Sequence, residues 1–247
     1  RGEDGLPEYF ISDLGTDTRI QGNRELGIKR EDVERAIPVE NAALYFGMLR
    51  SPYAVAPTRV DEFDYPEGDL NVYTHYLGSG GLPIGHWLQR AAAATYLLEP
   101  RLLTAGSIDQ TSKLLIRREV RQRVHAIAPF LDLRGDPYLI SIPGPVDQTI
   151  GHDQHQYWVV EGFTHSSTYP YSAAVSNSDS DRYLRNSVKA VVDAYNGSVQ
   201  FYISEPDDPL IQGWSRVFPQ LFQTLDQMPS SIPVSYTHLR AHETVED

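Results

Sequence analysis

The stretch "SVKAVVDAYNGSVQFYIS", residues 187–204, limits the fold more than any other. Asn196-Gly197 is the dipeptide of a type I′ turn, whose two central residues take positive φ and match the twist of the strands they join. Beyond it Val199, Phe201 and Ile203 alternate with Ser198, Gln200 and Tyr202. That period of two predicts a hairpin with one buried face, so the chain is not all helical.

Helical text is present as well. "GLPIGHWLQRAAAATYLL" places Pro83 near a helix start, has an alanine-rich body and stops before Pro100. "SIDQTSKLLIRREVRQRVHAIAPF" reads as the clearest helix: Asp109 caps it, Ile116, Val120, Val124 and Ile127 repeat at helical spacing, and Pro129 ends it. Its other face carries Lys113, Arg117, Arg118, Arg121 and Arg123. "DDPLIQGWSRVFPQLFQTL" is a further helical segment, broken by Pro219. "ENAALYFGML" and "SPYAVAPT" read as strand, turn, strand, and "DPYLISIPG" with "HQYWVVEGF" as a hairpin with a long tip. "VDEFDYPEGDLNVYTHYLGSGGLPIG" reads as a long loop with "LNVYTHYL" a strand inside it, and "KREDVERAI" as a surface helical patch. Strands grouped with helices, without βαβ alternation, make the fold class α+β, with mixed helices and antiparallel hairpins in a single domain.

Composition narrows the function classes. A hydrophobic content of 40% with 22% charged residues is that of a folded domain, and a net charge of −12 argues against nucleic acid as partner, since phosphate contacts need a basic surface. Cysteine is absent, which excludes disulfides and thiolate chemistry. "AAAATYLL" is far shorter than the roughly 20 apolar residues of a membrane helix. The chain opens "RGEDGLPEYF" without Met or a signal segment and reads as an internal fragment.

Candidate sites are sparse. Asp61, Asp64 and Asp69, with Glu62 and Glu67, put enough oxygens in one loop to hold Ca²⁺, although the spacing is not that of an EF-hand and a solvated acidic loop is the favoured reading. His152, Asp153 and His155 are zinc-type ligands on an expected hairpin tip, a place that rarely fixes geometry. Thr164, His165, Ser166 and Ser167 are the nearest approach to a nucleophile group, without a G-x-S-x-G elbow. Gly78, Gly80, Gly81 and Gly85 precede a helix as a phosphate loop would, but in the wrong register for a nucleotide motif; a bend between elements is favoured. The basic face is expected to pair with the chain's own acids, and Trp87, Trp158 and Trp214 to fill the core. No cofactor is implied and no catalytic motif is recognised.

Several segments together carry a family resemblance. "ALYFG", "EFDYPEGDLN", "GSGGLPIG", "RREVRQRVHAIAPFLDLRGDPYLI", "EGFTHSSTYPYS", "RYLRNSVKAVVDAYNGSVQFYI" and "DDPLIQGWSRVFPQLF" resemble, in this order, uncharacterised protein family 0182 of large bacterial multi-pass membrane proteins. The likeness covers Ala42 to Met228. It implies upstream membrane helices followed by a large domain outside the cytoplasmic membrane, of which this chain is a piece. No reaction and no site residues come with it. The expected organisation is a polar segment over 1–41, the family-like domain over 42–233, and a foreign tail. Within that tail His238 and His242 have metal-ligand spacing, but Val234–Thr244 match what one frame of a common transposon-based sequencing adapter encodes, so residues 234–247 are set aside. The function expected is an envelope binding, assembly or transport-support module, against a hydrolase or carbohydrate-binding alternative.

Overall fold

The structure is a computed structural model and describes residues 12–13, 43–67, 70–147, 152–168, 171–172, 181–229 and 232. Its described residues form helices and mixed sheets of the α+β class. The expected patch at 29–37 and the tail histidines lie outside them. Two compact units are present, the first comprising 1–118, 144–155 and 194–197, the second 119–143, 156–193 and 198–247.

In the first unit β1 (Ser12–Asp13) pairs antiparallel with β2 (Ala43–Leu44). β3 (Tyr53–Ala56) follows the Ser51-Pro52 turn. The acidic stretch expected as a loop is instead a strand, β4 (Glu62–Glu67), paired antiparallel with β5 (Leu70–Thr74). Phe63 and Tyr65 supply the β-favouring residues between the acids, and pairing with "LNVYT" overrides their poor propensity. β6 (Leu82–Pro83) takes the proline expected at a helix start. The helix itself, α1 (Trp87–Leu97), begins after His86, whose ring accepts from the Leu88 N–H while the His86 N–H donates to Gln89 Oε1 at 3.1 Å. This reciprocal cap fixes the start later than the proline. α1 ends at Leu98 in the left-handed region, and α2 (Arg101–Thr104) follows Pro100.

The longest helix expected from sequence is not continuous. Lys113–Ile116 form β7, the middle strand of β3-β7-β6, and the helix starts only at α3 (Val120–Ile127). Asp109 caps a turn, accepting from the Thr111 and Ser112 N–H groups at 2.8 and 3.1 Å. Arg117 breaks the chain with φ 51°, and Glu119 is the true cap, accepting from the Arg121 and Gln122 N–H groups, both at 2.9 Å. Leu114 and Leu115 are both buried, so a run covered on both faces carries no period to separate strand from helix. The first unit's core gathers Tyr53, Ile84, Ala93, Leu102, Ile108 and Leu114, and the Arg90 guanidinium ties α1 to it by donating to the Ile84 and Ile108 carbonyls at 3.2 and 2.8 Å.

The second unit is built on a six-stranded sheet. After β8 (Asp132–Leu133), β9 (Tyr138–Asp147) pairs with β10 (His152–Ser166), the expected hairpin. β11 (Tyr183–Asp193) and β12 (Val199–Ile203) are antiparallel, as the sequence predicts, but Val192 rather than Ala194 stands opposite Val199, and Phe201 and Tyr202 are both buried, so both faces are covered rather than one. Their connection differs: Gly197 alone takes positive φ, 71°, and the Asp193 N–H donates to the Ser198 carbonyl at 2.9 Å, closing a longer loop than a two-residue turn. α4 (Pro209–Val217), with Asp208 as cap and Pro209 in its first turn, is followed by β13 (Phe222–Thr224). β13 lies parallel to β12, which an expectation of antiparallel hairpins did not include. Ile140, Ile142, Val159, Val191, Tyr202 and Met228 form the core on one face. Phe130 stacks on Trp214 at 4.1 Å and on Phe218 at 5.6 Å.

Candidate functional site

In the first unit, Glu62 opens β4 beside three tyrosines. Tyr45 follows β2, where its N–H and that of Phe46 both donate to the Ala194 carbonyl at 3.0 and 2.9 Å. The Tyr45 hydroxyl donates to Glu62 Oε2 at 3.1 Å. Its ring lies 4.4 Å from that of Tyr76 and 5.1 Å from that of Tyr195, and the latter two are 5.3 Å apart. At those separations the rings pack on one another and leave no slot for a cation between them. The other carboxylate oxygen, Oε1, is buried with no hydrogen-bond partner among the described residues.

Burial pushes the Glu62 carboxyl up to about 7, with Asp61 adding to the rise, against hydrogen bonds from Tyr45 and the Tyr76 backbone and the influence of His75. Burial, followed by the Glu62 charge, holds the Tyr45 hydroxyl well above its usual range, so Tyr45 stays a donor. His75 Nε2 lies 2.7 Å from Asp61 Oδ1 at the rim. Lys113 donates to the Gly78 carbonyl at 2.7 Å with its ammonium 6.0 Å from the Tyr76 ring centre, and Arg118 donates to the Tyr45 carbonyl at 2.6 Å.

Glycines close this region by allowing backbone to approach. A Cβ on Gly80 would meet the Asn196 carbonyl oxygen at 2.0 Å, and one on Gly85 the Gln110 carbonyl oxygen at 2.4 Å. The glycine run therefore serves as a packed bend, and the His86 cap occupies the helix start where an anion would sit. Of the acids weighed as calcium ligands, Asp61 is engaged with His75, the Asp64 side chain and Asp69 lie outside the description, and no group of three His, Asp or Glu suited to a metal occurs among the described residues. The side chains of His152, Asp153 and His155, on β10, are likewise outside it.

The second unit separates the residues grouped as a possible nucleophile site. Thr164 points inward on β10, and its hydroxyl and that of Ser187 both donate to Asp208 Oδ2 at 2.5 Å, while Tyr183 donates to Oδ1 at 2.6 Å. Asp208 also accepts from the Leu210 N–H at 2.9 Å. Burial alone would raise its carboxyl, but the hydrogen bonds of Ser187, Thr164, Tyr183 and Leu210 outweigh it and hold the carboxyl below its ordinary value. His165, one residue on, turns to the opposite face, where its Nδ1 is 3.3 Å from Asp181 Oδ1 and Asp181 is bound by Arg134 at 2.9 Å. The basic residues expected on one helix are likewise divided: Lys113, Arg118 and Arg121 each donate to a backbone carbonyl, and Arg121 also lies 3.7 Å from Asp136. Trp158 is buried and Trp214 stacked, but Trp87 is 67% exposed rather than core.

A family profile described as an uncharacterised protein family, UPF0182, matches residues 1–244. The chain belongs to UPF0182. It is 84% identical to a UPF0182 protein of Parasynechococcus marenigrum WH8102 over 100% of the chain and 27% of that relative. It is 66% identical to one of Synechococcus sp. CC9902, covering 93% of the chain and 25% of the relative. One of Prochlorococcus marinus MIT 9303 is 62% identical, covering 94% and 24%. The chain thus spans about a quarter of the length of these bacterial UPF0182 relatives and is a fragment of a longer protein. The UPF0182 match takes in residues 1–41, outside the resemblance carried by Ala42 to Met228, and extends past Val234. No solved structure matches the chain.

Within UPF0182 the Tyr45–Glu62 group is the arrangement that sequence reasoning missed. From sequence Glu62 reads as one of a solvated acidic loop, whereas its partner Tyr45 lies 17 residues away and is itself packed against the distant Tyr195. The available signal was an acid entering a strand of alternating aromatics, which is weak by itself.

Proposed function

We propose that the chain is an extracytoplasmic portion of a multi-pass membrane protein that serves binding or assembly in the cell envelope rather than catalysis. The family resemblance carried by its motifs supports the location, and the fragment length leaves room for membrane helices elsewhere in the protein. No described helix is itself long and apolar enough to cross a membrane. The separation of Thr164 from His165 carries the non-catalytic reading. A nucleophile and its base must share a hydrogen bond, whereas these two face different carboxylates, each already committed to structure.

The missing cysteines supply a clean test of location. A single cysteine at the fully exposed Tyr171, in full-length protein stripped of any other cysteine, should react with a membrane-impermeant maleimide on intact cells. Labelling only after the cells are broken would overturn the proposal. A carbohydrate-binding reading keeps one support, the exposed Trp87, and predicts that envelope glycans quench indole fluorescence in the wild type but less in Trp87→Ala.

A further inference from the structure

We propose that Glu62 is a proton-controlled latch: neutral, it holds the β4–β5 hairpin against the Tyr45, Tyr76 and Tyr195 cluster, and losing its proton to solvent loosens that contact. The geometry supplies the reason. The carboxyl has one oxygen satisfied by Tyr45 and the other, Oε1, buried with no hydrogen-bond partner among the described residues. A negative charge spread onto a buried oxygen is costly, and the least costly relief is to move the strand carrying it. The same cost is absent while the group is neutral.

The surroundings do not remove that cost. Just before β4 comes Asp61, a second negative charge, already engaged at 2.7 Å by His75, just after β5. Tyr45, beside β2, donates its hydroxyl and Tyr76 its backbone N–H, which offset burial only in part, and the rings of Tyr76 and Tyr195 packed on Tyr45 bring no positive charge. The cations nearby are held elsewhere, Lys113 on the Gly78 carbonyl and Arg118 on the Tyr45 carbonyl. The burial-raised proton affinity of Glu62 puts the transition near neutrality. The segments that would loosen with it are those hydrogen-bonded to the cluster: residues 77–79, through the Leu77 N–H on Tyr195 and the Ser79 N–H on Asn196.

Hydrogen exchange of the full-length protein, corrected for intrinsic rates, tests this at pH 5.5 and pH 8.5. Peptides covering 62–80 and 194–197 should lose protection by at least about tenfold on going to the higher pH, since each unit separating the proton affinities of closed and open states is worth a factor of ten. Glu62→Gln, permanently neutral and still an acceptor for Tyr45, should stay protected at both. Tyr45→Phe, which removes a donor to the charged form, should raise the pH midpoint and serves if Glu62→Gln does not fold. Flat protection in the wild type, or a transition unmoved by either substitution, would overturn the latch.

Discussion

Thr164 and His165 are adjacent in sequence and bind different carboxylates, Thr164 donating to Asp208 while His165 lies 3.3 Å from Asp181. The alternation of a strand does this: successive side chains leave opposite faces, so a sequence cluster on β10 is a spatial separation. Asp208 is fully buried, whereas His165 is exposed.

Asp208 should therefore be a stability residue. Asp208→Ala removes the cap of α4 and leaves the hydroxyls of Thr164, Ser187 and Tyr183 without their acceptor. A cap is worth about 1 kcal/mol and each buried orphan a further ~1, so the expected loss is about 3–4 kcal/mol in urea unfolding. A loss below about 1 kcal/mol would mean that the group relaxes onto water.

Stability should peak in mildly acidic solution. The Asp208 carboxyl is held below its ordinary 3.8, so its contribution is present above that value and lost as pH falls through the folded one. Glu62 has the opposite sign: unfolded it releases its proton near 4.5, folded near 7, so stability falls as pH rises between them. Thermal unfolding across pH should show a maximum at about pH 4 to 5. In Glu62→Gln the decline toward neutrality should disappear while the acid limb remains.

Two glycine substitutions should move stability in opposite directions. Gly213 lies inside α4 with nothing within 4 Å of an added Cβ, so Gly213→Ala is expected to stabilise by about 0.5–1 kcal/mol. Gly80→Ala would drive its Cβ to 2.0 Å from the Asn196 carbonyl oxygen, a backbone atom that cannot swing aside, and should cost about 2 kcal/mol or more. Chemical denaturation of both variants decides whether the glycine run is a packed bend or a loose one.

What the sequence revealed follows the range of its signals. α4 was readable because Pro219 breaks its helical text two residues past its end, and β11–β12 because Val199 to Ile203 alternate after a glycine. "KLLI" was misread because Leu114 and Leu115 are buried on both faces and therefore periodic in neither sense. The acidic hairpin was misread because β4 depends on pairing with β5, which outweighs the preference of its own residues. The Tyr45–Glu62 group was out of reach because it is assembled from four separate stretches of chain, and no local pattern announces which acid will lose its water.

The register of β10 on β11 has its own consequence. Gly162 stands opposite Val188, but Thr164 stands opposite Arg185, so β11 spends one residue more than β10 over this step. Asn186 and Ser187 together oppose Phe163, and the extra residue keeps Tyr183 on the side from which it reaches Asp208. The two strands are thus locked to each other in length. Removing one residue at Asn186 would turn every side chain from Arg185 back to Tyr183 through to the other face, whereas exchanging Asn186 for another residue would not, so along this pair of strands the family should tolerate substitution far better than insertion or deletion.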